Sequence, residues 1–466
     1  MKHYARSRAW CEWEEFDAWQ ALALQALADP DAAPLPPFHL LSLPGITAAQ
    51  QRACATKWMA PRMALSAVDR AQLSDEFAAQ MPARPPSADG RIRIGYLSSD
   101  LHQHATALLM VEMLEAHDRS RFELHAYSYG ADDGLGMRQR LARQFEHFHD
   151  ITGHDDLRAA RAIHADGIDI LVDLKGFTAG TRTALLTYRA APLQVNFLGY
   201  PGTLGGVWCD YLISDAFITP PAQHADYTEA LACMPHSYQP HGRHGDIGPR
   251  PTRAEAGLPE QGLVFCCFNQ AYKFTPEVFD IWCMLLDQTE DSVLWLLGNA
   301  QAEGNLRREA MQRGIAPHRL VFAPDWPQAA HLGRLQLADL VLDTLPYNAH
   351  TTASDALWVG VPLVTCAGDT FASRVAGSLL HAVGLPELIT HNLTDYAELA
   401  LELAADPERL KALRGKLASL RDEAPLFDVA SYTRSLESLY TAMWQRHLDG
   451  LPPEALTQAD TPAAQR

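Results

Sequence analysis

Positive charge is scarce in this chain: 38 lysines and arginines stand against 56 aspartates and glutamates, a net charge of −18 over 466 residues. So acidic a surface repels phosphodiester backbones, which argues against a nucleic-acid partner. Long hydrophobic runs are missing too. The opening MKHYARSRAWCEWEEFDAW has no apolar stretch of the signal-peptide kind. The one long uncharged segment, 190–209, is broken by Pro192, Gly199, Pro201, Gly202 and Gly205, so no membrane span is expected. The eight cysteines include no C-x-x-C pair, and Cys266-Cys267 sits in an apolar run, which suits reduced, buried thiols in a cytoplasmic protein. Also absent are the G-x-x-x-x-G-K-[ST] phosphate loop, the G-x-S-x-G elbow and H-E-x-x-H. Histidine and cysteine never fall in a zinc spacing, so no metal and no resident cofactor are expected.

What is present is the texture of an ordinary globular protein, 47% hydrophobic and 20% charged. The length suggests about three domains or sub-domains. Residues 1–90 read as a helical N-terminal segment, with helical spacing over 10–28 and 47–63 and Pro-rich connectors at 29–45 and 81–90. From residue 91 short apolar runs alternate with amphipathic helices. Strands are expected at 92–97, 122–127, 168–174 and 193–198, with helices at 106–117, 136–144, 156–165 and 181–189. A Gly/Pro/charge-rich linker at 241–262 separates this first lobe, 91–240, from a second at 263–425. There the alternation restarts, with strands at 263–268, 293–297, 320–323, 340–343 and 363–366. A C-terminal helix and a polar tail, mobile from Pro452, complete the chain at 426–466. The fold class is therefore α/β: two doubly wound, Rossmann-like lobes facing a cleft, with ligands at the carboxyl edges of both sheets.

Four segments carry candidate chemistry. In DTLPYNAHTTASDALWVG, residues 343–360, His350, Thr351 and Thr352 stand at a helix start whose free N–H groups favour an anion, and Asp355 is suited to accept from sugar hydroxyls. An ordinary Thr/Ser helix cap would look the same. In CCFNQAYKF, Asn269, Gln270 and Lys273 lie in a strand-end loop where a lysine can hold a diphosphate without metal, or simply be solvated. In SSDLHQHATALLM, His102 and His104 precede a helix at the edge of the first sheet, placed for acid–base work or merely for a loop. The glycines of NFLGYPGTLGG, 196–206, allow either close approach to a ligand or tight packing.

Together these segments, with RIRIGYLSSDLHQHAT, GIDILVDLKGFTAGTR, HLGRLQLADLVLDT and FASRVAGSLL, resemble the intracellular O-linked N-acetylglucosamine transferases and the plant SPINDLY-type proteins, a GT-B glycosyltransferase family. The similarity spans about 10–447. It implies an inverting, metal-independent transfer of a sugar, N-acetylglucosamine from UDP-GlcNAc above all, to Ser/Thr hydroxyls of a protein or peptide acceptor. By that resemblance His104 matches a first-lobe histidine proposed as base or orienting group. Gln270 and Lys273 match donor-binding residues, the lysine neutralising the leaving diphosphate. His331 and Arg334 match residues around the nucleotide base. His350, Thr351 and Thr352 match the diphosphate-binding helix start, and Asp355 the ribose-binding acid. His164, Asp166, Asp169 or a water relay are alternatives for the base. Fucosyl transfer from GDP, N-glucosyl transfer, or a silent binding module on the same fold are alternatives for the function.

Departures from the family pattern include His104-Ala105-Thr106 in place of His-Pro-Thr, Gly176-Phe177-Thr178 in place of Gly-His-Thr, and Gln328 where animal members carry a lysine. Ahead of the lobes there is room for two tetratricopeptide repeats of about 34 residues at most, so the family's repeat superhelix is expected to be missing or a remnant.

Overall fold

A computed structural model describes residues 2–80, 90–242 and 247–457. The connector 81–89, the linker core 243–246 and the last residues, 458–466, lie outside the described residues. The chain divides into two units. Residues 1–90, expected as one segment, are shared between them rather than forming a unit of their own.

The unit of Asp31–Leu40, Thr47–His244 and Asp428–Arg466 is built on seven strands: β1 (Ile92–Ser98), β2 (Phe122–Ser128), β3 (His147–Asp150), β4 (Ile170–Asp173), β5 (Leu193–Asn196), β6 (Tyr211–Asp215) and β7 (Ala230–Met234). Their order is β3-β2-β1-β4-β5-β6-β7, and every pairing is parallel. Helices cover the faces, so β4 and β5 are buried throughout, as a doubly wound sheet requires. Strand order reverses between β1 and β4, whose carboxyl ends flank the crevice where such sheets bind ligands.

β3, β6 and β7 were not expected from the sequence. β3 reads His-Phe-His-Asp, too polar for a central strand, and survives at the edge, where it has one neighbour. The helix expected at 181–189 is a 3₁₀ turn, Thr183–Tyr188, because the Thr181 and Thr183 hydroxyls donate back to the Gly176 carbonyl. The C-terminal helix Val429–Leu448 docks through Glu437, whose Oε1 lies 2.9 Å from His117 Nδ1. The described start of the tail, to Thr457, is tied where mobility was expected: Leu456 is buried and bridges β7, its N–H donating to the Leu231 carbonyl at 2.9 Å and its carbonyl accepting from Cys233 at 2.8 Å.

The unit of Met1–Pro30, Leu41–Ile46 and Gly245–Phe427 holds β8 (Val264–Cys267), β9 (Val293–Leu297), β10 (Leu320–Ala323), β11 (Leu340–Leu342), β12 (Leu363–Cys366) and β13 (Ile389–Thr390). The order β10-β9-β8-β11-β12-β13 is again wholly parallel, with the reversal between β8 and β11. The helices Lys2–Trp10 and Phe16–Ala28 belong here, with Arg8 over the Phe16 ring, while Ala48–Leu65 and Ala67–Gln80 belong to the other unit. The buried Arg8 donates to the Ser42 carbonyl at 3.0 Å and the Tyr272 carbonyl at 2.8 Å, bracing the loop after β8.

Candidate functional site

Two loops meet at the β8/β11 reversal. The first leaves Cys267 through Asn269 and the short turn Ala271–Lys273; the second runs from Asp343 to the helix Thr351–Trp358. Lys273 joins them. Its Nζ donates to the Asn348 carbonyl at 2.7 Å and lies 4.0 Å from the centroid of the Tyr347 ring. Burial lowers the lysine's pKa, while the Asp343 charge opposes that shift. Asp343 is in turn raised by burial, although its carboxylate accepts from the Thr344 and Ala349 amides at 2.7 and 2.6 Å and from the Thr365 hydroxyl at 2.6 Å. Asn269 closes the second contact between the loops. Its Nδ2 donates to Thr344 Oγ1 at 2.8 Å, and its Oδ1 accepts from the Thr352 hydroxyl at 2.6 Å.

The helix start differs from the sequence-based expectation in its donors. The helix begins at Thr351, within the expected start. The Thr352 hydrogen is committed to Asn269. His350 Nε2 lies 3.2 Å from the Ala372 carbonyl and must carry the ring's proton, which leaves Nδ1 an acceptor. Burial, seconded by the Lys273 charge, holds His350 well below its ordinary pKa. The donors facing an anion are therefore the free amides of the first turn and the lysine; His350 orients the loop.

Asp355 falls one residue beyond the first four positions of that helix and is buried. Burial pushes its carboxyl up to about 7, Gln328 offsetting part of the shift, and Oδ1 has no hydrogen-bond partner among the described residues. His331 sits on the helix Gln328–Leu335 with its ring 5.2 Å from that of Phe268. Its Nδ1 takes Arg334 Nη2 at 2.8 Å, so Nε2 holds the proton, and burial pulls its pKa down to about 4. Arg334 is 1% exposed, wedged over the Phe268 and Trp326 rings and bonded to the Pro324 carbonyl. It positions His331 instead of presenting itself to a ligand. Gln270 is exposed at the mouth of its loop. A hollow of about 10 Å³, the size of one water, opens between Phe268, Asn269, His331, Ala349 and Thr352.

In the other unit, His104 caps the helix Ala105–Ala116 at the β1/β4 reversal. Its Nδ1 accepts from the Thr106 amide at 3.2 Å and lies 3.5 Å from Asp100 Oδ2, and its side chain is 43% exposed. Burial lowers its pKa, with Asp100 opposing. Asp100 is clamped by the buried Lys175 at 2.7 and 2.9 Å. His102 lies 3.5 Å from Asp133. The alternative bases stand elsewhere: His164 stacks on Phe77 at 3.7 Å, Asp166 accepts from the Tyr127 hydroxyl, and Asp169 accepts from the Arg93 amide at the opposite, amino edge of the sheet. The glycines of 196–206 serve packing. A Cβ on Gly199 would stand 1.9 Å from the Leu174 carbonyl oxygen, and one on Gly205, at φ +74°, 2.6 Å from Ala55.

The chain as a whole has counterparts among known proteins. Residues 11–249 and 249–436 match Glycosyl transferase family 41. The chain belongs to that family. A probable UDP-N-acetylglucosamine–peptide N-acetylglucosaminyltransferase SEC of Arabidopsis thaliana is 37% identical over 81% of this chain and 39% of its own length. A UDP-N-acetylglucosamine–peptide N-acetylglucosaminyltransferase of Caenorhabditis elegans is 31% identical over 86% of this chain and 46% of its own. A solved structure, a point mutant of the O-GlcNAc transferase of Thermobaculum terrenum, superposes with a TM-score of 0.78 at 29% identity, covering 95% of this chain and 83% of that one. The chain spans about two fifths of the length of the curated relatives it matches. Its fold is the α/β, GT-B architecture expected from the sequence.

Within this family 41 chain the structure brings Lys273, His350, Thr351 and Thr352 to one crevice, with His331 and Asp355 on adjoining helices. Sequence reasoning missed the residues that hold them: Asp343, Tyr347 and Asn348 around the lysine, Arg8 beneath its turn, and the Asp100–Lys175 pair under His104. Asp343 and Asp100 did carry a signal, an aspartate at or just past the end of the strand beside each order reversal.

Proposed function

We propose that this chain catalyses transfer of N-acetylglucosamine from UDP-GlcNAc to Ser/Thr hydroxyls of proteins, with inversion and without a metal ion. The observation that carries the reading is the buried Lys273 ammonium, fixed by the Asn348 carbonyl and the Tyr347 ring of the loop that leads into the helix start at Thr351. A departing nucleoside diphosphate needs cations and fixed N–H dipoles where its charge develops, and these are supplied without reorganisation. The names of the relatives point to the same donor and to a peptide acceptor.

In this reading the acceptor oxygen attacks the sugar C1 as the C1–O bond to the β-phosphate breaks. The electron pair leaves with UDP, onto oxygens facing Lys273 and the helix amides; a single displacement inverts C1. Asp355 takes a ribose hydroxyl on its unpartnered oxygen, and the neutral His331 offers its ring face and Nε2–H to the base. Gln270 closes over the donor from its exposed position. His104 stands on the acceptor side. Its Nδ1 accepts from the Thr106 amide, so Nε2 carries the ring proton and orients the acceptor hydroxyl by donating to its oxygen, whose own proton passes to solvent.

Calorimetric titration with UDP and GDP, followed by a donor screen on a mixed protein acceptor read by mass spectrometry, tests the proposal. The expected result is UDP binding and a mass gain of one N-acetylhexosamine on serine or threonine. Binding of neither nucleotide removes the proposal, and transfer of fucose or modification of asparagine replaces it.

A further inference from the structure

Histidines gather on one face of the first sheet, among residues the proposed transfer does not use. Along β2, Glu123, His125 and Tyr127 alternate onto the same side, and on the edge strand β3 His147 and His149 stand in register with His125 and Tyr127. The His125 ring lies 4.5 Å from that of His147 and 5.9 Å from that of His149, almost parallel to the latter. Asp166, capping the helix Asp156–Ala165, completes the group: its Oδ2 accepts from the Tyr127 hydroxyl at 2.7 Å and lies 3.4 Å from His149 Nε2. Two sets of three, Glu123–His125–His147 and His125–His149–Asp166, each bring one ligating atom per residue within 4.8 Å of the others.

We propose that His125, His149 and Asp166 form a structural site for a divalent transition-metal cation of the zinc type, with Glu123 orienting His125. Protonation decides between the two sets. His125 Nε2 sits 2.9 Å from Glu123 Oε1, so that nitrogen carries the proton and the lone pair is on Nδ1. Among the described residues Nδ1 is buried without a hydrogen-bond partner, in a residue only 4% exposed, and His149 Nε2 is likewise buried without a hydrogen bond. Unmet polar nitrogens are unfavourable in a protein interior, and a cation satisfies both. A carboxylate holding the far nitrogen of a ligating imidazole is the usual second layer of a zinc site, and the Tyr127 hydroxyl does the same for Asp166. Burial also keeps His125 neutral, the form that binds metal. Two imidazoles and one carboxylate suit zinc, and three protein ligands leave one position for water.

Such a cation ties β3 to β2 and to the turn before β4. That edge strand has little apolar surface of its own to bury, with only Phe148 among its four residues. The site lies in the unit that does not carry Lys273, so it is a structural cation, and its failure or success leaves the proposed transfer chemistry untouched.

Equilibrium dialysis of the full chain against Zn²⁺, with metal counted by plasma mass spectrometry and thermal melts with and without chelator, tests the site. The expected result is one zinc per chain at micromolar free metal and a melting temperature that falls on chelation. His149→Gln and Asp166→Asn should each weaken zinc binding at least 10-fold, while His147→Gln, at a half-exposed position, leaves it within about 3-fold. Circular dichroism checks that each variant folds; Asp166→Asn keeps an acceptor for Tyr127 should His149→Gln lose structure. No zinc uptake by the parent chain, or uptake unchanged in both His149→Gln and Asp166→Asn, overturns the proposal. Loss that follows His147 alone overturns it in favour of the neighbouring set.

Discussion

Lys273 reaches across from the loop after β8 to the Asn348 carbonyl in the loop after β11, a 2.7 Å bond that fixes a buried ammonium at the point where strand order reverses. Everything proposed for the second lobe depends on what that ammonium faces. Lys273→Met removes the charge and keeps much of the volume. Turnover should drop roughly 10²-fold or more, with UDP affinity changed much less, because the lysine acts on charge that appears only as the bond breaks. Steady-state kinetics with calorimetry separates the two; unchanged turnover assigns the residue to structure alone.

Asp355 makes nucleotide binding and stability depend on pH. Its folded-state pKa is about 7, against ~3.9 in an unfolded chain. Between those values the unfolded chain releases a proton that the fold retains, so this residue's contribution to stability falls as pH rises from about 4 to about 7 and is level above. Asp355→Asn removes the loss and should be more stable than the parent at pH 8, by about 2–4 kcal/mol. A ribose hydroxyl favours the carboxylate, so UDP binding at pH 6.5 should release a proton in the parent and less in the variant. Calorimetry in two buffers of different ionisation enthalpy reads this; equal release in both chains contradicts the ribose role.

His331 and Arg334, both matched to the nucleotide base by family resemblance, should separate experimentally. His331→Ala is expected to weaken UDP about 10-fold with little change in stability. Arg334→Ala leaves a gap between Phe268 and Trp326 and strips a donor from the Pro324 carbonyl and His331. It should cost about 3 kcal/mol in urea unfolding. Should Arg334→Ala keep full stability yet lose UDP, the arginine touches the ligand after all.

Arg8 ties the first helix to the loop of Lys273 through the Tyr272 carbonyl. Arg8→Gln should lower stability by about 2 kcal/mol and turnover several-fold, with UDP affinity nearly intact because the Asp355 and His331 side is unaffected. Turnover at the parent level would show that the loop needs no such brace.

Most of the scaffold was legible because its signals are local. The strands β8, β9 and β10 are continuous apolar runs, and the helix Asp156–Ala165 has matching bounds in sequence and structure. Strand β3 was not legible, since its polarity is tolerable only at an edge, and edge position is a property of the whole sheet. The helix starts at 105 and 351 were near enough to their expected places to nominate His104, Thr351 and Thr352. What each side chain donates was not, because the Thr352 and His350 protons are claimed by Asn269 and Ala372, far away along the chain.

By itself the order of residues determined the α/β class, two lobes and the loops that bear the chemistry, since periodicity and turn residues act over a few neighbours. Only the tertiary structure decided which nitrogens carry protons, which acids stay uncharged and which charges are buried. Those depend on desolvation and on partners tens or hundreds of residues apart, such as Arg8 under Tyr272 or His125 beside His149.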